Sequence, residues 1–277
     1  MSDNRPIGVF DSGLGGLTVL RELKKILPFE NIVYFGDTGR VPYGSRSNST
    51  IIRYAQQDES FLLSKNVKYI VAACGTVSAV AYSTADALPV PFMGVVENSV
   101  KDAVNCTKNN KIGVIATAAT INNGIHKQLI KAHLPEAEVF TVSCPLFVPL
   151  VEEGWVDEND VVVLNTVKRY LAPLKDAGID TLILGCTHYP ILKNAIRRVM
   201  GDDVTLINMG YSTARAVAEE LKQRKLLNTE KLQPKHEFYV SDFTESFSKT
   251  AKTLLGEEIN NKDVKSVDIS KYGKCTN

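Results

Sequence analysis

The sequence predicts an α/β protein built as two similar, pseudo-twofold related α/β domains, with mostly parallel sheets and the active site in the cleft between them. Three observations carry this. Short β-branched apolar runs alternate with segments of helical periodicity, the rhythm of βαβ units. Features also recur in the same order at nearly equal separations: IGVF at Ile7 and IGVI at Ile112, VPYG ending at Gly44 and VPLVEEG ending at Gly154, Cys74 and Cys186, and apolar runs at Val90 and Val204. Finally, IVAACGTVS (70–78) and LILGCTHYP (182–190) each run an apolar stretch of strand length into a cysteine and a small polar cluster. Ligands of open parallel sheets sit beyond the carboxyl ends of the strands, where both cysteines fall.

The elements follow in order. Strands are expected over Pro6–Ser12, Asn31–Asp37, Val67–Cys74, Pro91–Val96, Lys111–Thr117, Glu138–Cys144, Asp180–Cys186, Val204–Met209 and His236–Ser241, each a short apolar, β-branched run. Between them lie helical patterns; Leu17, Leu20, Leu23 and Leu27, for example, share one face. The segment from about Glu257 is polar, with 266–277 as a tail of little order.

Composition narrows the function. The chain has 277 residues, 44% hydrophobic and 23% charged, in the range of an ordinary globular protein. Lys+Arg number 32 against 31 Asp+Glu, without the basic excess of a nucleic-acid binder. The basic pairs Lys24-Lys25 and Arg197-Arg198 read as solvated helix faces. No apolar run reaches the length of a membrane span, and the amino terminus reads without a signal peptide. Five cysteines without repeating spacing argue against a disulfide framework and for a reducing, cytoplasmic setting.

Cys74 and Cys186 admit two readings. Either both are buried core residues, as free cysteines commonly are, or they form one site built twice. If the halves face each other across a cleft, two thiols would approach one ligand from opposite sides. A two-base epimerisation needs that arrangement: one thiolate removes a proton and the other thiol returns one to the far face. A free thiol, with a pKa of about 8.5, can reach both protonation states near neutrality. Cys106 and Cys275 read as surface or tail residues, and Cys144 as a lining residue at a strand end.

FDSGLGGLTVL (10–20) is a strand, a glycine-rich turn and a helix whose N–H groups suit an anion. It fits neither nucleotide fingerprint, so a carboxylate is the better ligand. Asp11 could face an amine or assist Cys74; alternatively Asp11 and Ser12 cap the helix. GDTGRVPYGSRS (36–47) is a turn-rich loop offering the backbone of Pro42, Tyr43 and Gly44 and the Tyr43 phenol, or an ordinary loop with a half-buried tyrosine. His188 lies two residues from Cys186, where it can relay a proton. Zinc is disfavoured, since no second Cys/His pair has ligand spacing. One of Glu152 and Glu153 could pair with His188. His126, His133 and His236 read as ordinary helix or strand-edge residues.

Taken together, DSGLGG (11–16), FGDTGRVPYG (35–44), CPLFVPLVEEG (144–154) and LGCTHYP (184–190) resemble the glutamate racemases of the cofactor-independent aspartate/glutamate racemase family, over nearly the whole chain. FYVSD at Phe238 also looks like that family's C-terminal segment. The resemblance implies two α/β domains, residues 1–97 with 208–265 as a discontinuous first and 98–207 as the second, and interconversion of L- and D-glutamate without pyridoxal phosphate or metal, the product feeding peptidoglycan synthesis. It implies that Cys74 and Cys186 are the acid/base thiols, that Asp11 and His188 assist them, and that Glu153 lies near His188. Ser12, Pro42, Tyr43, Gly44, Gly75, Thr76, Thr117, Thr120, Thr187 and His188, with Asp11, would hold the substrate. The expected partner is this small molecule, with no nucleic acid and no membrane, and a homodimer is in keeping with the family. The chain departs from the family pattern at Gly75, where Asn is common, at Glu97-Asn98, where a Pro-Gly often follows the acid, and at Asn208-Met209-Gly210, in place of Asp-Ser-Gly. An aspartate or hydantoin racemase, and a binding or redox protein on the same fold, are the competing readings.

Overall fold

The computed structural model describes residues 2–243 and 247–273; Cys275 lies outside them. Ten strands are present among these residues: β1 (Ile7–Asp11), β2 (Ile32–Gly36), β3 (Tyr69–Ala72), β4 (Phe92–Gly94), β5 (Lys111–Ala116), β6 (Glu138–Ser143), β7 (Thr181–Leu184), β8 (Thr205–Asn208), β9 (His236–Val240) and β10 (Val264–Ser266). The first nine fall inside the nine runs picked out from sequence.

The strands form two sheets, in the orders β10-β9-β2-β1-β3-β4 and β6-β5-β7-β8. Every pairing among the described residues is parallel. The stretch β2-β1-β3-β4 has the same order as β6-β5-β7-β8, so β1 corresponds to β5 and β3 to β7. The register agrees: Phe10 of β1 pairs with Ala72, the last residue of β3, and Ile115 of β5 with Leu184, the last residue of β7. Cys74 and Cys186 each follow two residues after those ends, at equivalent points of the two sheets.

Burial follows from parallel pairing, which covers both faces of a strand with helices. All residues of β1, β2, β3 and β7 are buried. Leu17, Leu20 and Leu23, in the helix Leu17–Ile26, are buried with Leu27 at its end, as the shared face predicts. That helix packs on the helix Met209–Gln223, which follows β8. One apolar core therefore runs through both sheets, from Ile7 and Val71 to Val114 and Ile183. Among the described residues no helix is long and apolar enough to cross a membrane.

The tail differs from expectation. β10 spans residue 266, where the tail was to begin, and pairs with β9. Ile269 is buried, and the Tyr272 ring stands edge-on to Phe61 with centroids 5.3 Å apart. A polar segment can add an edge strand because its backbone makes the ladder while its side chains face water.

Candidate active site

The ends of β1, β3, β5 and β7 bring most of the singled-out residues together. β1 ends at Asp11, which is buried, and Asp11 Oδ2 accepts a hydrogen bond from the Gly13 N–H at 3.0 Å. Burial pushes the Asp11 carboxyl upward, opposed by the positive charge of His188 and by the N–H groups of Gly16, Gly13 and Ser12. The capping alternative does not describe it: the helix Leu17–Ile26 begins at Gly16 with no side-chain cap. The glycine turn touches the far loop directly. A Cβ on Gly15 would lie 2.5 Å from both Cε1 and Nδ1 of His188, so only glycine fits there. Beside it, Thr18 Oγ1 donates to the Thr187 carbonyl at 2.7 Å.

Cys74 precedes the short helix Gly75–Val80 and is 5% exposed. Its thiol donates to Ser12 Oγ at 3.4 Å. Burial, then the Asp11 charge, push the thiol up to about 12, with the Ser12 hydrogen bond opposing them. Thr76 Oγ1 lies 3.2 Å from Thr117 Oγ1 and 3.3 Å from Thr120 Oγ1, and the latter two are 3.0 Å apart. This hydroxyl cluster joins a residue just past β3 to two just past β5. Gly44 stands against the same cluster: a Cβ on it would be 3.3 Å from Thr117 Cβ.

Cys186 is 7% exposed, and its sulfur lies 3.9 Å from His188 Nδ1. On the other side of the ring, His188 Nε2 is 3.2 Å from Glu152 Oε1. Burial pulls the imidazole's pKa down, but the hydrogen bonds to Cys186 and Glu152 outweigh it and raise it to about 10. Cys144 is fully buried behind this group; burial, then the Cys186 charge, push its thiol up to about 12. Cys106 is exposed.

Two expectations need correction. The carboxylate at His188 belongs to Glu152, not Glu153. Glu152 is the last residue of the helix Phe147–Glu152; Glu153, one position on and about 100° further round, caps that helix and is exposed. The Tyr43 phenol is also not offered to the cleft. It is 1% exposed and bonds to Asp37 and, at 3.1 Å, to Asp58. What remains open on that loop is the backbone around Pro42, Tyr43 and Gly44.

The anchor under that loop was missed from sequence. Arg40 Nε lies 2.6 Å from Asp37 Oδ2, its Nη2 2.9 Å from Asp58 Oδ1, and its guanidinium 4.0 Å over the Tyr54 ring. A phenol has one proton and cannot donate to two carboxylates. Burial and the Asp37 charge push the Asp58 carboxyl well upward, opposed by the Arg40 charge and the Tyr43 hydrogen bond. The signal available was GDTGR, whose Asp37 and Arg40 stand three apart; Asp58 gives none. His126, read as ordinary, is 2% exposed, and among the described residues neither ring nitrogen has a partner.

Each sulfur thus has its own polar partner, Ser12 Oγ at Cys74, whose thiol also feels the Asp11 charge, and His188 Nδ1 at Cys186. Such a site can pass protons at a carbon held between the sulfurs. Among the described residues no three His, Cys, Asp or Glu side chains converge so as to hold a metal ion.

Known proteins bear on this geometry. The Asp/Glu/Hydantoin racemase family profile matches residues 36–217. A glutamate racemase of Geobacter metallireducens is 45% identical over 92% of this chain and 94% of its own length. One of Neisseria meningitidis is 47% identical over 91% and 93%. The crystal structure of Francisella tularensis glutamate racemase in complex with D-glutamate superposes with a TM-score of 0.90 at 41% identity, covering 98% of this chain and all of that one. With two thiols at matched strand ends and this likeness along its length, the chain belongs to the Asp/Glu/Hydantoin racemase family.

Proposed function

We propose that this protein is an isomerase that interconverts L- and D-glutamate by two-thiol proton transfer at the α carbon, supplying D-glutamate for peptidoglycan synthesis. The observation that carries this is the equivalence of Cys74 and Cys186, two residues past β3 and β7 in sheets of the same strand order. One sulfur, as thiolate, takes the α-proton; the other thiol gives a proton to the opposite face, and the roles reverse in the reverse reaction. Asp11 and Ser12 serve Cys74, and His188, held by Glu152, serves Cys186. The backbone of Ser12, Pro42, Tyr43, Gly44, Gly75 and Thr187, with the hydroxyls of Thr76, Thr117 and Thr120, binds the carboxylates and the amine. N–H and O–H donors aimed at the α-carboxylate stabilise the charge that develops when the α-proton leaves. The reading assigns no cofactor or metal ion, because the two thiols supply both transfers.

The relatives' glutamate specificity supports glutamate over aspartate or a hydantoin. Sheet membership supports 1–97 with 208–265 as one domain and 98–207 as the other. A cytoplasmic location and a homodimer are part of this proposal, and the family likeness supports both. The test uses pure protein with L-glutamate in D₂O and no added cofactor or metal. Loss of the α-proton signal by NMR, together with decay of optical rotation to zero, is the expected result. No change with L-glutamate but turnover of L-aspartate would move the substrate; silence with both would end the racemase reading.

A further inference from the structure

The loop that carries Cys186 lacks one backbone donor, and a side chain from the first sheet's side supplies it. Past β7 the chain tightens into a turn in which a carbonyl finds its N–H partner three residues ahead. The Cys186 carbonyl accepts from the Tyr189 N–H and the His188 carbonyl from the Ile191 N–H, both at 3.1 Å. The residue three ahead of Thr187, between them, is Pro190, which has no N–H to give. Thr187 is 5% exposed, so leaving its carbonyl unpaired would carry the cost of a buried acceptor. Thr18, 2% exposed, fills the place: its Oγ1 donates to the Thr187 carbonyl at 2.7 Å across 169 residues. The same hydroxyl lies 3.0 Å from the Gly15 carbonyl, but that oxygen already accepts the Thr18 N–H at 3.0 Å. A hydroxyl has one proton, and the shorter contact, to the carbonyl that Pro190 leaves without an N–H, takes it.

We propose that Thr18 is a positioning residue for the Cys186 side of the site: its hydroxyl fixes the Thr187 peptide and so holds His188 against Cys186. The pinned carbonyl belongs to the residue between the thiol and the imidazole. A turn of that peptide swings the ring away from the sulfur, which now lies 3.9 Å from Nδ1. Gly15 bounds the ring on one side, because a Cβ there would strike it, but that contact does nothing to stop the ring from retreating. The Thr18 hydroxyl supplies the pull. Thr18 stands in the helix that follows β1 and the glycine turn, the same unit that brings Ser12 and Asp11 to Cys74. One strand–turn–helix unit therefore places the partners of both sulfurs. This inference rests on the two-thiol reading, but its first test does not need turnover.

Thr18→Val keeps the side chain's shape and removes the hydroxyl; Thr18→Ser keeps the hydroxyl. Each protein, shown to be folded by circular dichroism, is treated with iodoacetamide at pH 7. Alkylation of Cys186 is read by mass spectrometry against Cys74 in the same sample. A protonated imidazole beside a thiol favours the reactive thiolate. Thr18→Val should therefore lower the Cys186-to-Cys74 ratio about tenfold, with kcat falling about 10- to 100-fold and KM changing less than about threefold. Thr18→Ser should hold the ratio and kcat within about threefold of wild type. A ratio and kcat equal to wild type in Thr18→Val would overturn the assignment, as would a loss confined to KM or a serine variant as poor as the valine one. Pro190→Ala gives the Thr187 carbonyl an N–H three residues ahead, so adding it to Thr18→Val should return the ratio to within about threefold of wild type. This double variant carries the test should Thr18→Val alone not fold; a ratio still down about tenfold in it would overturn the assignment. Wild-type protein whose Cys186 alkylation depends on Thr18 in this way but which does not racemise glutamate would refute the proposed function and leave this positioning role standing.

Discussion

Glu152 Oε1 stands 3.2 Å from Nε2 of His188, and the imidazole's other nitrogen faces the sulfur of Cys186 at 3.9 Å. A carboxylate, an imidazole and a thiol are thus in line, and the carboxylate end is half exposed. The hydrogen bonds to Cys186 and Glu152 raise the imidazole's pKa against its burial, and the Glu152 contact orients the ring.

Glu152→Gln should lower kcat/KM by roughly tenfold, a modest share of a general acid–base contribution. It should also pull the His188 pKa down from about 10. The imidazolium is then lost at lower pH, so the alkaline limb of the kcat profile moves towards neutrality. Glu153→Gln should leave both the rate and the limb where they were. A pH–rate series on the two variants decides; the opposite ranking would restore Glu153 as the partner.

Cys74→Ser and Cys186→Ser should each cut racemisation by about 100- to 10,000-fold, the usual worth of a positioned acid or base. Each variant keeps one thiol, so each should still exchange the α-proton of one enantiomer for deuterium without inverting it. The favoured enantiomer should be opposite in the two. Variants that racemise at the wild-type rate would remove the two-thiol mechanism.

Much of this was legible in the sequence, for a physical reason. Buried parallel strands read as short apolar runs, so β1 to β9 announced themselves, and the repeat of strand, cysteine and small polar residues marked Cys74 and Cys186. The remainder depends on contacts that composition does not encode. Val264–Ser266 joins the sheet through its backbone, with Lys265 and Ser266 exposed. The choice between Glu152 and Glu153 turns on the phase of a six-residue helix. Asp58 meets Tyr43 across fifteen residues, from a helix whose pattern marks it only as a polar position. The bond from Thr18 to the Thr187 carbonyl spans 169 residues, and a threonine shows nothing of the acceptor it meets.

Tyr43→Phe keeps the ring but removes the hydroxyl that bonds to Asp37 and Asp58. The two buried carboxyls then lose a partner each, at a cost of about 1–3 kcal/mol. The loop Pro42–Gly44 should loosen, so KM for glutamate should rise several-fold while kcat changes less. Arg40→Lys should act the same way, since an ammonium cannot bridge Asp37 and Asp58 as the guanidinium fork does. Steady-state kinetics with thermal melts test this. A kcat loss with unchanged KM would put the phenol in the chemistry instead.

His126 should make the protein sensitive to acid. Its ring is buried with no partner among the described residues, and burial holds its pKa down to about 4, against about 6.5 when the chain unfolds. Between these values the unfolded chain binds a proton that the native ring refuses, so stability is whole above pH 6.5 and falls as pH drops towards 4. A gap of that size is worth about 3 kcal/mol. His126→Phe removes the titrating group and leaves an aromatic of similar shape in an apolar place, so its melting temperature should fall less than wild type's between pH 7 and pH 4.5. At pH 7 the variant should be as stable as wild type or slightly more so, because no unpaired ring nitrogen stays buried. Parallel acid dependence of the two melting curves would mean that the ring finds a partner in solution and that the acid limb belongs to other groups.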